Sequence, residues 1–116
     1  MLFRSRDTHI DLFLSDDPDA PKNGRVVTEV TPRTRALAAS RGMDWSTPAL
    51  QEHLVGHWVE ITGWTYFDVD HCNESANTAT ADCNGSGRGS WRQTGWEIHP
   101  VTSIRVLPGP PDPASR

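Results

Sequence analysis

Glu97 and His99 stand two residues apart in the run Trp91-Arg92-Gln93-Thr94-Gly95-Trp96-Glu97-Ile98-His99-Pro100-Val101. A strand there presents a carboxylate and an imidazole on one face, and Pro100, which has no N–H to donate, is expected to interrupt it. Asp68, Asp70 and His71 form a second cluster at the end of an earlier alternating run. If the fold joins the two places, Asp68, His71, Glu97 and His99 supply two imidazoles and two carboxylates. That mixed set suits a divalent metal, zinc foremost. With the metal at Asp68 and His71 activating water, Glu97 and His99 would act as base and orienter in a hydrolysis. The alternative needs no metal: His99 donates to Asp68 or Glu97, and the group is a structural network that fixes a loop poor in apolar contacts. His9 and Glu29 are further ligand-capable residues on or beside strands.

A different chemistry rests on the aromatics, which include five tryptophans in 116 residues. Trp64, Tyr66 and Trp91, with Arg92 beside them, would form a ligand-binding surface on which unpaired bases stack, each contact contributing roughly 1 to 3 kcal/mol. Core packing is the other reading of Trp58, Trp64, Tyr66, Trp91 and Trp96 and accounts for about three of the five, with Trp45 anchoring a turn between helices. A formal net charge of -4 opposes nucleic acid, because gripping a phosphate backbone requires clustered positive charge. Arg33, Arg35 and Arg41 read as a solvated helix face.

Two weaker patterns fail on spacing. A calcium loop begun at Asp68 would place Cys72, Asn73 and Ala79 where an oxygen ligand, a glycine and a glutamate belong. Gly85-Ser86-Gly87-Arg88-Gly89 lacks the Lys-Ser or Lys-Thr of a phosphate loop and reads as a flexible connection.

The elements that must position these residues are legible as alternation and caps. Thr8, Ile10, Leu12 and Leu14 alternate with Asp7, His9, Asp11 and Phe13, and Arg25 to Thr31 alternates again, so the two strands form a hairpin. Thr31-Pro32 and Ser46-Thr47-Pro48 are helix starts, closed by Gly42 and Gly56, which gives two short helices. His57 to Asp70 is a long strand with a central Gly63, where a small sheet bends. Trp91 to Ile98 and Ser103 to Leu107 close the sheet. The fold class is mainly β with two short helices, an OB-like small barrel that is open or lacks its first strand. The domain spans residues 7–107, and residues 108–116 form a disordered, proline-rich tail. An open barrel edge would favour pairing with a second copy of the chain.

The chain also resembles a group of uncharacterised bacterial proteins with an OB-like fold that end in a Trp-Glu-Ile-His-Pro-Val type motif. The resemblance is carried by Asp7-Thr8-His9-Ile10, Val27-Thr28-Glu29-Val30-Thr31-Pro32, Gly56 to Trp64, Phe67-Asp68 with His71, Glu74 to Ala79, and Trp96 to Val101. It implies a fold and no particular activity. Cys72, Cys83 and the glycine-rich run depart from the pattern.

The functional reading is therefore a small binding or interaction module with a polar Asp/His/Glu cluster at the barrel rim. A metal-dependent hydrolase and a single-stranded nucleic-acid binder are the alternatives. No apolar run long enough to span a membrane exists. As written the chain reads as cytoplasmic, or as extracytoplasmic if Cys72 and Cys83 are bridged, a bond that would add roughly 2 to 3 kcal/mol. Two free surface thiols are the other reading of those cysteines.

Overall fold

The computed structural model describes residues 6–21, 23–77 and 90–111. Strands β1 (Thr8–Phe13) and β2 (Arg25–Val30) form the expected antiparallel hairpin, with Thr8 opposite Val30 and Phe13 opposite Arg25. Helices α1 (Pro32–Ser40) and α2 (Thr47–Leu54) follow, then β3 (Val59–Phe67), a 3-10 turn at Cys72–Glu74, β4 (Ser75–Asn77), β5 (Arg92–Thr94) and β6 (Trp96–Val106). Both helices start where the caps predict. Thr31 and Thr34 make a reciprocal capping box, and the Ser46 hydroxyl accepts from the Ala49 N–H. Gly42 and Gly56 take the left-handed conformation just past the helix ends, at φ 81° and 80°.

The main sheet has the order β1-β2-β6-β3, with β2 and β6 parallel and the other neighbours antiparallel. The molecule is thus mainly β with two helices and a mixed sheet. Among the described residues no closed barrel is found, because β1 and β3 end the sheet without pairing to each other. A separate two-stranded parallel sheet joins β4 to β5, with Ser75 opposite Arg92. Among the described residues no helix is long and apolar enough to cross a membrane. Cys72 is buried and is not a free thiol, which corrects the surface-thiol reading. Its expected partner Cys83, the glycine-rich run at 85–89 and residues 112–116 of the expected tail lie outside the described residues.

The apolar core lies on one face of the main sheet, where Val30, Ala38, Trp45, Leu50, Leu54 and Val101 pack with Ile10, Val59, Ile61, Ile98 and Ile104. Trp45 anchors the interhelix segment as its sequence position suggests. Arg35 departs from the solvated face expected of it: its guanidinium donates to the carbonyls of Trp45 and Arg6 and to the Thr8 hydroxyl, tying α1 to β1.

The expected break at Pro100 does not occur, and β6 runs through it. The pairing shows why. Thr65 faces Ile98 and Gly63 faces Val101, so two residues of β6, His99 and Pro100, oppose Trp64 alone. Such a bulge leaves a residue outside the ladder, so the missing Pro100 N–H costs no sheet hydrogen bond. A second irregularity at Thr102 restores the register at Thr62 opposite Ser103. These insertions let Ile98, Val101 and Ile104 all reach the core, a spacing of three that a regular strand, with its period of two, cannot produce. Gly63 is the matching requirement on β3. A Cβ there would collide with the Pro100 carbonyl oxygen and Ile98 Cγ2. The expected bend at Gly63 is thus a close approach of two backbones. β3 also begins at Val59 and ends at Phe67, inside the expected span.

Gly63→Ala should lower the free energy of unfolding by roughly 1 to 3 kcal/mol through this overpacking, read from urea denaturation. Gly109→Ala, where an added Cβ meets nothing within 4 Å, should leave the midpoint nearly unchanged.

Candidate functional site

The face of the main sheet opposite the helices is polar because of strand register. In the hairpin His9 opposes Glu29, and the bridge from Thr28 to Ile98 sets Glu29 alongside Glu97 and His99. Ile98 turns to the apolar core while Glu97 points away from it. β5 lies against this face and delivers Arg92 to it.

Arg92 is 1% exposed and is the largest fully buried side chain among the described residues. Its Nη2 donates to Glu97 Oε2 at 2.9 Å, its Nη1 to Asp68 Oδ2 at 3.4 Å and its Nε to the Thr94 carbonyl at 2.7 Å. The Trp91 ring lies 5.3 Å from the guanidinium carbon. A buried cation must be paired and hydrogen-bonded to be tolerated, and here the pairing joins the end of β3 to the start of β6.

From Glu97 the network continues to His99. Glu97 Oε1 accepts from His99 Nδ1 at 3.0 Å, Glu29 Oε2 lies 3.1 Å from the same nitrogen, and His99 Nε2 is 3.3 Å from Asp7 Oδ2. His9 Nε2 holds the other Glu29 oxygen at 2.8 Å. The Tyr66 ring meets the His99 ring edge-on, 5.4 Å between centroids.

These contacts set the proton positions. Burial first, then the hydrogen bond and negative charge of Glu97, push Glu29 from 4.5 up to about 7. For Glu97 burial alone would raise the value, but hydrogen bonds from Glu29, Arg92 and His99 outweigh it and hold the group below its ordinary 4.5. His99 is raised above 6.5, burial being overcome by Glu97, Glu29 and Asp7. At the rim His71 is also raised, by its hydrogen bond to Asp68, with Nδ1 3.0 Å from Oδ2.

A cleft of about 280 Å³ opens onto this network, lined by His9, Glu29, Asp68, His71, Trp91, Arg92 and Glu97. The metal set expected from the sequence is distributed around it. Asp68, His71 and Glu97 line the cleft, and His99 stands behind Glu97 and Glu29. The Arg92 guanidinium lies between Asp68 and Glu97. Of the expected aromatic surface, Trp91 lines the cleft, while Trp64 and Tyr66 are 71% and 47% exposed on β3, the edge strand. Arg92 cannot serve as a surface partner for bases, since it is buried and paired on both sides. Asp7 belongs to the network although the expected set omits it. The signal was present in the alternation that places Asp7, His9 and Asp11 on one strand face.

Compared with protein-family models, curated proteins and solved structures, the chain matches none.

Two outcomes follow for chelator-treated protein. Arg92→Leu should lower the free energy of unfolding by about 3 to 5 kcal/mol, because it leaves Asp68 and Glu97 without their cation. Arg105→Leu, which breaks an exposed pair with Glu60, should change it little. Stability should also fall as pH rises from 4.5 to about 7, since over that window folded Glu29 holds a proton that the unfolded chain has released. His99 extends the trend: its contribution is complete below 6.5 and is lost as pH rises through its higher folded value. Glu97 acts oppositely, its contribution being lost as pH falls below 4.5. Thermal melts should therefore show a higher midpoint near pH 5 than at pH 8, and Glu29→Gln should flatten the difference.

Proposed function

We propose that this chain is a small binding module that takes a compact cationic ligand into the cleft between the main sheet and β5. The observation that carries this reading is the charge of the walls. Glu29, Asp68 and Glu97 line the cleft with Arg92 as their one permanent cation, and Arg92 is already committed to Asp68 and Glu97. Asp7 adds a further carboxylate behind Glu29, on His99. A volume of about 280 Å³ is at the small end of ligand sites, which favours an ion, an ammonium group or a guanidinium group over a nucleotide.

Nucleic-acid binding receives less support: Trp64 and Tyr66 are exposed, but the guanidinium expected beside them is buried and the cleft is acidic. A hydrolase would need a metal, and the Arg92 guanidinium already holds Asp68 and Glu97 of the set expected to bind it.

Amide chemical shifts measured during titration with methylguanidinium and methylammonium at constant ionic strength test the proposal. Shifts confined to His9, Glu29, His71 and Trp91, and weakened by Glu29→Gln or by the rim variant His71→Ala, are expected. No shifts from either cation, or saturation by oligothymidine with a steep salt dependence, would overturn it.

A further inference from the structure

We propose that the outer edge of β3 pairs antiparallel with β3 of a second copy of this chain, about a two-fold axis at Gly63, joining two four-stranded sheets into one of eight strands. The interaction goes beyond the cleft and does not depend on it. Among the described residues β3 is bonded to β6 on one side and to no strand on the other. The N–H and C=O groups along such an edge are a template for a further strand.

The two edges of the sheet are built differently. β1 has six residues, holds His9 and Asp11 to charged partners on β2, and is tied to α1 where Arg35 donates to Thr8. Short, charged edge strands are how proteins keep an edge from pairing. β3 has nine residues and none of these guards: it contains no proline or lysine, and its single charged side chain, Glu60, is already neutralised by Arg105 at 2.9 Å. Large apolar side chains left in water also gather there. Trp64 and Tyr66 are exposed on the strand, Val55 and Val69 just past its two ends, and Trp96 and Val106 on β6 opposite its terminal residues Phe67 and Val59.

The residue order of β3 is what makes a second copy the fitting occupant. With Gly63 opposite Gly63, antiparallel pairing uses all nine residues and sets Val59 against Phe67, Glu60 against Tyr66, Ile61 against Thr65 and Thr62 against Trp64, each pair occurring twice. Apolar and β-branched side chains meet aromatic or β-branched ones, which are favourable cross-strand pairs. Glu60 meets a phenol that can donate to its carboxylate. No charge faces its like. An axis moved to Trp64 would set Glu60 against Asp68, and one moved to Glu60 would set that carboxylate against itself, so charge selects against both shifts. A patch that complements itself about a two-fold is also the commonest basis of association between identical chains.

Sedimentation equilibrium of the full-length chain over a series of concentrations tests the proposal. The wild-type mass is expected to approach twice 12.9 kDa as concentration rises. In Thr62→Lys with Trp64→Lys every introduced lysine faces another across the axis, whereas in Thr62→Lys with Trp64→Glu every lysine faces a glutamate. The second variant should dimerise roughly tenfold or more tightly than the first. Unspecific repulsion would give the reverse order, because the double lysine brings the net charge of -4 closer to zero. Residues 62 and 64 are exposed, so both variants should fold, which circular dichroism checks. Leu14→Lys, exposed beyond β1, should leave the dimer unchanged. A wild-type chain that stays monomeric at every concentration would overturn the proposal and leave the edge to an extended segment of another protein. A dimer indifferent to the double lysine, or one weakened equally by both variants, would overturn it too.

Discussion

The pairing of buried Arg92 with Asp68 and Glu97 is the constraint on which the polar half of this molecule depends. A guanidinium removed from water is tolerated only when its donors are satisfied, and this one is satisfied by the end of β3, the start of β6 and the Thr94 carbonyl of its own strand. β4 and β5 are three residues each, too short to stand as an independent sheet. Arg92 helps attach them to the larger sheet, together with the Asp68 N–H bond to the Gly95 carbonyl. Charge pairing thus does on this face what apolar packing does on the other, where α1 and α2 cover Val30, Val101 and their neighbours.

Function and fold share that pairing. By holding one oxygen of Glu97, Arg92 leaves the other for His99, and His99 in turn meets Glu29 and Asp7. Two carboxyl groups close together in a partly dry site cannot both keep their ordinary acidity, so Glu29 rises while Glu97, nearer the cation, falls. The result is a cleft whose walls carry an exchangeable proton near neutrality, set by the sheet and therefore rigid.

What could be read from the sequence was what is local. The caps at Thr31 and Ser46, the alternation of β1 and β2 and the chemistry of Glu97 and His99 depend on residues a few positions apart. The parallel pairing of Thr28 with Ile98 links segments far apart in the chain and leaves no periodic trace, so the meeting of Glu29 with Glu97 and His99 was not legible. Pro100 misled because a proline forbids a ladder hydrogen bond only where the ladder needs one, and the bulge opposite Trp64 removes the need. Arg92 misled because an arginine among aromatics reads as exposed, and only the three-dimensional convergence of Asp68 and Glu97 allows it to be buried. Asp7 and His9 lay on a face that alternation had already identified, one strand pairing short of the site.

Side-chain hydrogen exchange of the arginine guanidinium groups, followed by nitrogen-15 NMR, tests the central claim most directly. Arg92 should exchange slowly and show hindered rotation of its terminal nitrogens, set apart from Arg105, which makes a comparable pair with Glu60 at the surface. Exchange of Arg92 as fast as that of Arg105 would mean that the guanidinium is in water, and the account of the polar face built on it would be contradicted.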